Sequence, residues 1–192
     1  MLSLFPTNQY RIIPDRTYWD YLYRTNDLIE LRGRKYQQKR NHINRFQQFY
    51  PYAYHSLTPE HFEACLRLFE HWAADKAGQP EVEEERLALK EAFTHFSLLN
   101  LKGGVLEVYG EIQAFAIGSR LNKDTAIVHF EKANAEFSGI YAVINQLFVA
   151  QEWADTKYIN REEDMGIEGL RKSKKSYLPA FMVNKYLVRC HT

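Results

Sequence analysis

The run Thr-Ala-Ile-Val-His-Phe-Glu-Lys-Ala, residues 125–133, alternates in the manner of a strand. Strict alternation places His129 and Glu131 on one face, with Val128 and Phe130 on the other. An imidazole beside a carboxylate is the equipment of a general base: such a pair removes the proton of an attacking amine or hydroxyl, and partial burial shifts its pKa toward neutrality. The same two groups also make an ordinary structural pair with Lys132 or with a basic helix, and the sequence leaves both readings open. In the amphipathic segment that follows, Asn145 lies four residues after Tyr141 and shares a helical face with it, while Ile140, Val143, Ile144 and Leu147 form the apolar stripe. An amide there orients a substrate carbonyl or the imidazole, or it is a satisfied amide at the edge of the core.

A second concentration of chemistry is YINREEDMGIEGLRKSKKSY, residues 158–177, with four acids and five bases. Alternation sends Tyr158, Asn160 and Glu162 one way and Ile159 and Arg161 the other. Polar residues at the end of a sheet strand face the cleft where ligands bind in α/β folds. Asp164 is expected as the N-cap of the next helix and Glu163 as a solvated acid, which leaves Asn160, Arg161 and Glu162 as candidates for substrate contact, against surface ion pairing. Arg171, Lys172, Lys174 and Lys175 then form a basic stretch ending at Tyr177. A further basic group, Arg32, Arg34, Lys35, Lys39, Arg40 and Arg45, includes no acid and is interleaved with Tyr36, Asn41 and Phe46. Arginine clamps phosphate oxygens and aromatic rings stack on bases, so this face suits a tRNA, a lipid headgroup or a coenzyme; it equally suits a solvated helix surface.

The totals constrain the partners. The chain of 192 residues, 45% hydrophobic and 15% aromatic, holds enough apolar material for a folded core. Its formal net charge of +1 gives no global attraction to polyanions, so any such binding must be local. Cys65 and Cys190 fit neither a disulfide framework nor a metal-ligand spacing and read as structural thiols; no metal is expected. With no apolar run of membrane-spanning length and no basic region preceding a long apolar core at the start, the expectation is a cytoplasmic protein.

Several elements must position these residues. Tyr36, Ile43, Phe46 and Tyr50 mark an amphipathic helix opened by Gly33 and closed by Pro51. Thr58 and Pro59 start a second, whose stripe is Phe62, Cys65, Leu66, Phe69 and Trp72. A third runs from about Glu81 to Leu98 with acids in its first turn. Three short strands follow, at 103–110, 111–121 and 125–133, as an antiparallel meander with turns at Gly110 and at Asn122–Asp124. A helix capped by Ser138, a strand at 157–161, a helix over 166–177 and a last strand over 180–189 complete a mixed α+β layout.

This order resembles the GNAT-like superfamily of acyl and aminoacyl transferases. More narrowly, KRNHINRF, FEKANAEFSGIYAVINQLF and YINREEDMGIEGLRKSKKSY resemble the family named for the C-terminal domain of phosphatidylglycerol lysyltransferase, over residues 20–188. The resemblance implies a GNAT-like fold with a splayed central sheet, occupying residues 32–192. Residues 1–31 are then an N-terminal arm or the remnant of an upstream GNAT-like half, which in a complete assembly, or a homodimer, finishes the site. It also implies transfer of an acyl group from a phosphate-bearing donor, of the aminoacyl-tRNA kind, to an amine or hydroxyl. In that reading Glu131 with His129 is the base, Tyr177 the acid that protonates the leaving group, Tyr141, Asn145, Asn160 and Glu162 contact substrate, and Arg161, Arg171 and Lys174 hold the anionic donor. Arg34, Lys35, Lys39, Arg40 and Asn41 form the phosphate or nucleic-acid patch. An acyl-coenzyme A donor is the close alternative, although the segment KANAEFSGIYA offers one glycine, Gly139, where acetyltransferases of this superfamily carry a glycine-rich pyrophosphate loop. The alternative of another class is a non-catalytic module that binds RNA or phospholipid on the same fold.

Overall fold

The computed structural model describes residues 4–6, 8–74, 76 and 78–191. In chain order its elements are β1 (Tyr10–Pro14), β2 (Asp20–Arg24), α1 (Thr25–Glu30), α2 (Gln37–Phe49), β3 (Tyr52–Ser56), α3 (Phe62–Ala74), α4 (Pro80–Thr94) and β4 (Lys102–Val108). Then come β5 (Glu111–Asn122), β6 (Thr125–Ala133), α5 (Ile140–Glu152), β7 (Tyr158–Asn160), α6 (Glu168–Lys175), β8 (Phe181–Val183) and β9 (Tyr186–Cys190). The chain divides into two compact units: Arg24–Ile159, and Met1–Tyr23 together with Asn160–Thr192.

In the larger unit the strand order is β3-β4-β5-β6-β7, and β3 through β6 pair antiparallel. The two-residue period of β5 distributes its side chains between two helical layers. Phe115 and Ile117 join Val105 in one cluster with Cys65, Leu68 and Phe69 of α3 and Leu89 and Phe93 of α4. The alternate residues Ala114, Ala116 and Gly118 are small, and α5 packs on the sheet with Val143, Ile144, Phe148 and Val149 buried. At Gly118 a Cβ would stand 2.4 Å from the carbonyl oxygen of Ile127 and 3.5 Å from Phe148, so only glycine fits there. Burial of each of these large apolar side chains contributes roughly 1.5–3 kcal/mol, several times what helix or strand propensity adds per residue.

Cys65 lies wholly inside this cluster, and burial pushes its thiol up to about 12, whereas Cys190 is exposed. Because the thiolate is the reactive form, a disulfide reagent at pH 8 is expected to titrate one thiol in the native chain and two after denaturation. Rapid reaction of both in the native state would contradict this packing.

In the smaller unit β2 pairs antiparallel with β8, and β1 with β9, in register Tyr10↔Cys190 to Pro14↔Tyr186. The stretch 180–189, expected as a single strand, is therefore two strands with different partners, broken at Asn184 and Lys185. Residues 10–30, expected within an arm or remnant, hold β1, β2 and α1; residues 1–3 and 7 of that arm lie outside the described residues. Strand β3, which the periodicity of the sequence does not mark, pairs with β4 from Tyr52↔Val108 to Ser56↔Gly104, and the Tyr54 ring lies over Gly104 where a side chain would collide with it.

Two caps differ from the sequence reading. Helix α5 is capped by Gly139 and not Ser138, because the chain there has φ +95° and because a Cβ would stand 2.4 Å from the His42 carbonyl oxygen of α2. Helix α6 is capped by Ile167 and not Asp164, whose carboxylate is fully buried and drawn elsewhere.

Candidate functional site

In the larger unit the candidate residues converge on the end of β6 and the first turns of α5. Asn145, buried in α5, donates from Nδ2 to Glu131 Oε2 at 2.9 Å. Its Oδ1 is buried and accepts no hydrogen bond among the described residues. A buried amide oxygen without a donor carries a desolvation penalty of about 1–3 kcal/mol, which an N–H or O–H brought to it would relieve. Tyr141, one turn earlier, is pushed above the usual tyrosine range chiefly by burial of its phenol, with the Glu131 charge adding to the rise, while hydrogen bonds from the Ala133 backbone and the Trp72 indole oppose it. It stays protonated at neutral pH and serves as a hydrogen-bonding group.

His129 does not simply share this face. The β5–β6 register runs Ile117↔Phe130 and then Gly118↔Val128, so β6 carries an extra residue at His129, a β-bulge. The bulge interrupts alternation between His129 and Glu131: Phe130 packs against the α3–α4 cluster, Glu131 stands opposite Ala116 and bonds to α5, and His129 Nε2 bonds to Ser119 Oγ at 2.9 Å. The expected alternation therefore fails here. Lys132, the neighbour on the strand, is buried; its ammonium pairs with Glu85 of α4 at 2.8 Å and lies 3.5 Å from the centre of the Trp72 ring. Burial pulls its pKa below the lysine value, and the Glu85 charge opposes the shift. Neither Glu85 nor Trp72 was a candidate from the sequence; both lie on helices whose contact with β6 no local pattern encodes.

The smaller unit answers the charge density of residues 158–177. Asp164, inaccessible to solvent, receives Nε and Nη2 of Arg171 at 2.8 and 2.9 Å, the Tyr21 hydroxyl at 2.5 Å, Arg16 Nη1 at 3.4 Å and the Gly166 amide at 3.0 Å. The Arg171 hydrogen bonds, with Tyr21 and Gly166, hold its carboxyl well below the usual carboxylate range despite burial. Lys174 is also buried and donates to the carbonyls of Arg161 and Glu163. Asn160 uses both ends of its amide, Nδ2 to Asp20 Oδ2 and Oδ1 from the Glu162 amide. These bonds clamp a loop with left-handed backbone at Glu162, Met165 and Gly166. Arg171, Lys174 and Asn160, expected to hold the donor or orient substrate, here bond within the unit: Arg171 to Asp164, Lys174 to the Arg161 and Glu163 carbonyls, and Asn160 to Asp20, 140 residues away in sequence.

Arg161 stacks over the Tyr177 ring at 4.9 Å and the Tyr23 ring at 5.8 Å. Tyr177 is buried edge-on to Tyr23, whose hydroxyl donates to the Lys174 carbonyl. The phenol expected as an acid thus belongs to the smaller unit and Glu131 to the larger. Of the N-terminal patch, Arg40, expected to meet a phosphate, donates from Nη1 to the carbonyls of Leu31 and Gly33. Lys35 lies over Tyr36 at 5.0 Å, Lys39 is half-buried, and Arg34, Lys35 and Asn41 are exposed on their unit.

The antiparallel meander followed by helix, strand, helix and strand, with Glu131 of the meander's last strand bonded to Asn145 of α5, is a mixed α+β arrangement of the GNAT-like class. The chain belongs to the phosphatidylglycerol lysyltransferase C-terminal family, whose model matches residues 5–189. It is similar to a conserved protein of unknown function from Bacteroides thetaiotaomicron, 42% identical with a TM-score of 0.90 over 100% of this chain and 65% of that one. The fold is shared with L-PGS from Bacillus licheniformis, 16% identical, TM-score 0.70, over 97% of this chain and 63% of that one. An uncharacterised protein of Mycoplasmoides gallisepticum is 27% identical over 173 residues, 88% of this chain and 56% of its own length. The chain thus spans between about half and two thirds of the relatives it matches. Among the described residues no helix is long and apolar enough to cross a membrane.

Proposed function

We propose that this chain is an acyl- or aminoacyl-transfer domain in which Glu131, oriented by Asn145, takes the proton from the attacking amine or hydroxyl. The observation that carries the reading is the Glu131–Asn145 bond at 2.9 Å together with the unsatisfied, buried Asn145 oxygen. A carboxylate and an amide oxygen side by side accept hydrogen bonds, which suits an incoming N–H or O–H group. The nucleophile attacks the acyl carbon, its proton passes to Glu131, and the bond from the acyl carbon to the departing oxygen breaks as Glu131 returns that proton to the oxygen. The family relation to a lysyltransferase supports an aminoacyl ester as donor, RNA-linked and phosphate-bearing. An acyl-coenzyme A donor is less well supported, since α2 packs its His42 carbonyl and Phe46 against Gly139 at the start of α5, where a pyrophosphate would need open backbone amides. The domain's partners in this reading are the charged RNA and a small or lipid-linked acceptor.

The experiment is single-turnover transfer of a radiolabelled aminoacyl group from charged tRNA to an amine or glycerol acceptor, with acetyl-coenzyme A run in parallel. Transfer from charged tRNA that depends on Glu131 supports the proposal. Transfer from acetyl-coenzyme A alone would replace the donor, and no transfer from either would favour a binding module.

A further inference from the structure

We propose that a shelf of exposed aromatic rings at the β4–β5 turn binds unpaired nucleotides of a single-stranded RNA. The turn itself is the first observation. Val108 pairs with Glu111, leaving Tyr109 and Gly110 as a two-residue hairpin loop with φ of +53° and +83°. Such a loop favours Asn-Gly, because both central residues must be left-handed, and a tyrosine there adopts a conformation unfavourable to a side chain with a Cβ and a ring. The ring gains little burial in return, since Tyr109 is 64% exposed.

Around it the larger unit gathers more rings. Tyr50 meets Tyr109 edge-on at 6.4 Å and Phe137 edge-on at 5.2 Å, and Phe49 at the end of α2 is 60% exposed. Of these rings Tyr109 and Phe49 are the exposed ones and can meet a flat ligand. Beside them a cavity of about 270 Å³ is lined by Arg45, Phe49, Tyr50 and Ser138, near the lower bound of about 300 Å³ for drug-sized ligand pockets and so suited to one base-sized group. Stacking on aromatic faces with an arginine for the phosphate is how proteins hold single strands without reading sequence.

A lipid surface is the competing occupant for aromatic rings with a cation. The exposed face of α2 argues against it: beside Phe49 it carries Gln37, Gln38, Asn41, Asn44, Gln47 and Gln48, amides suited to base edges, where an interfacial helix would carry a stripe of Leu, Phe or Trp. The helix has no acid, and Glu136, next to Phe137, is occupied by the backbone and side-chain bonds of an Asn134 turn. The proposal extends the preceding reading to the donor's unpaired nucleotides, and its test measures binding without transfer, so each can fail alone.

The test is fluorescence anisotropy of the whole chain with an unstructured labelled oligoribonucleotide and with a duplex of the same sequence, at two salt concentrations. The wild type is expected to prefer the single strand. Tyr109→Asn, which the turn geometry favours and which should melt no lower than the wild type, is expected to raise Kd about tenfold, as is Phe49→Ala. Arg45→Ala is expected to reduce the slope of log K against log salt by about 0.7. Glu131→Gln is expected to bind as the wild type does. Unchanged affinity in a folded Tyr109→Asn chain, equal affinity for the duplex, or no binding would overturn the proposal. So would capture of the wild type but not Tyr109→Asn by phosphatidylglycerol vesicles in place of RNA.

Discussion

Glu131→Gln is expected to reduce transfer by about 10²- to 10⁴-fold, the contribution of a positioned general base. The substitution is close to isosteric and its amide oxygen still accepts from Asn145 Nδ2, so the thermal midpoint should move little. Loss of rate then reports the carboxylate's proton affinity and not a rearranged β6. His129→Gln is the discriminating control. With Ser119 as its bonding partner and a bulge separating it from Glu131, the imidazole is expected to matter far less. A Glu131→Gln chain that keeps more than a tenth of wild-type single-turnover rate, or a His129→Gln chain equally impaired, would move the base away from Glu131.

The second large effect is on stability. Asp164→Asn is expected to cost about 3 kcal/mol, the lower part of the range for breaking a buried ion pair, because Arg16 and Arg171 are each about a third exposed and can turn partly to water. For a chain of this length that corresponds to a fall in midpoint of about 6–12 °C, read by thermal or urea unfolding. The sign with pH follows from the lowered carboxyl. A carboxylate more acidic in the folded than in the unfolded chain contributes fully above the unfolded value of 3.8 and is lost as pH falls below it. The difference between wild type and Asp164→Asn should therefore be constant above about pH 5 and shrink below pH 4. A difference that grows on acidification would mean that Asp164 is not held as an ion.

Much of the framework follows from local pattern. The apolar stripe of α5, the Thr58–Pro59 start before α3 and the three-strand meander are legible because 3.6- and 2-residue periods are set within one element. The bulge at His129 is not, since it depends on how β6 slides against β5, and one extra residue was enough to break the shared face that alternation implied. Strand β9 pairs with residues about 180 positions upstream, a contact with no local signature.

The candidate site divides along the same line. Glu131 and Asn145 stand out in the sequence as polar residues at defined positions on amphipathic elements, and they do meet. Arg171, Lys174, Arg40 and Asn160 read equally as ligand contacts until their partners are known, because a charge shows its role only through what neutralises it. By itself the sequence determined the meander, the helices α2 to α6, the family resemblance and the polar residues available for chemistry. Tertiary structure alone decided which charges are internal clamps and which groups a ligand can meet, since desolvation and pairing are properties of distant segments brought together.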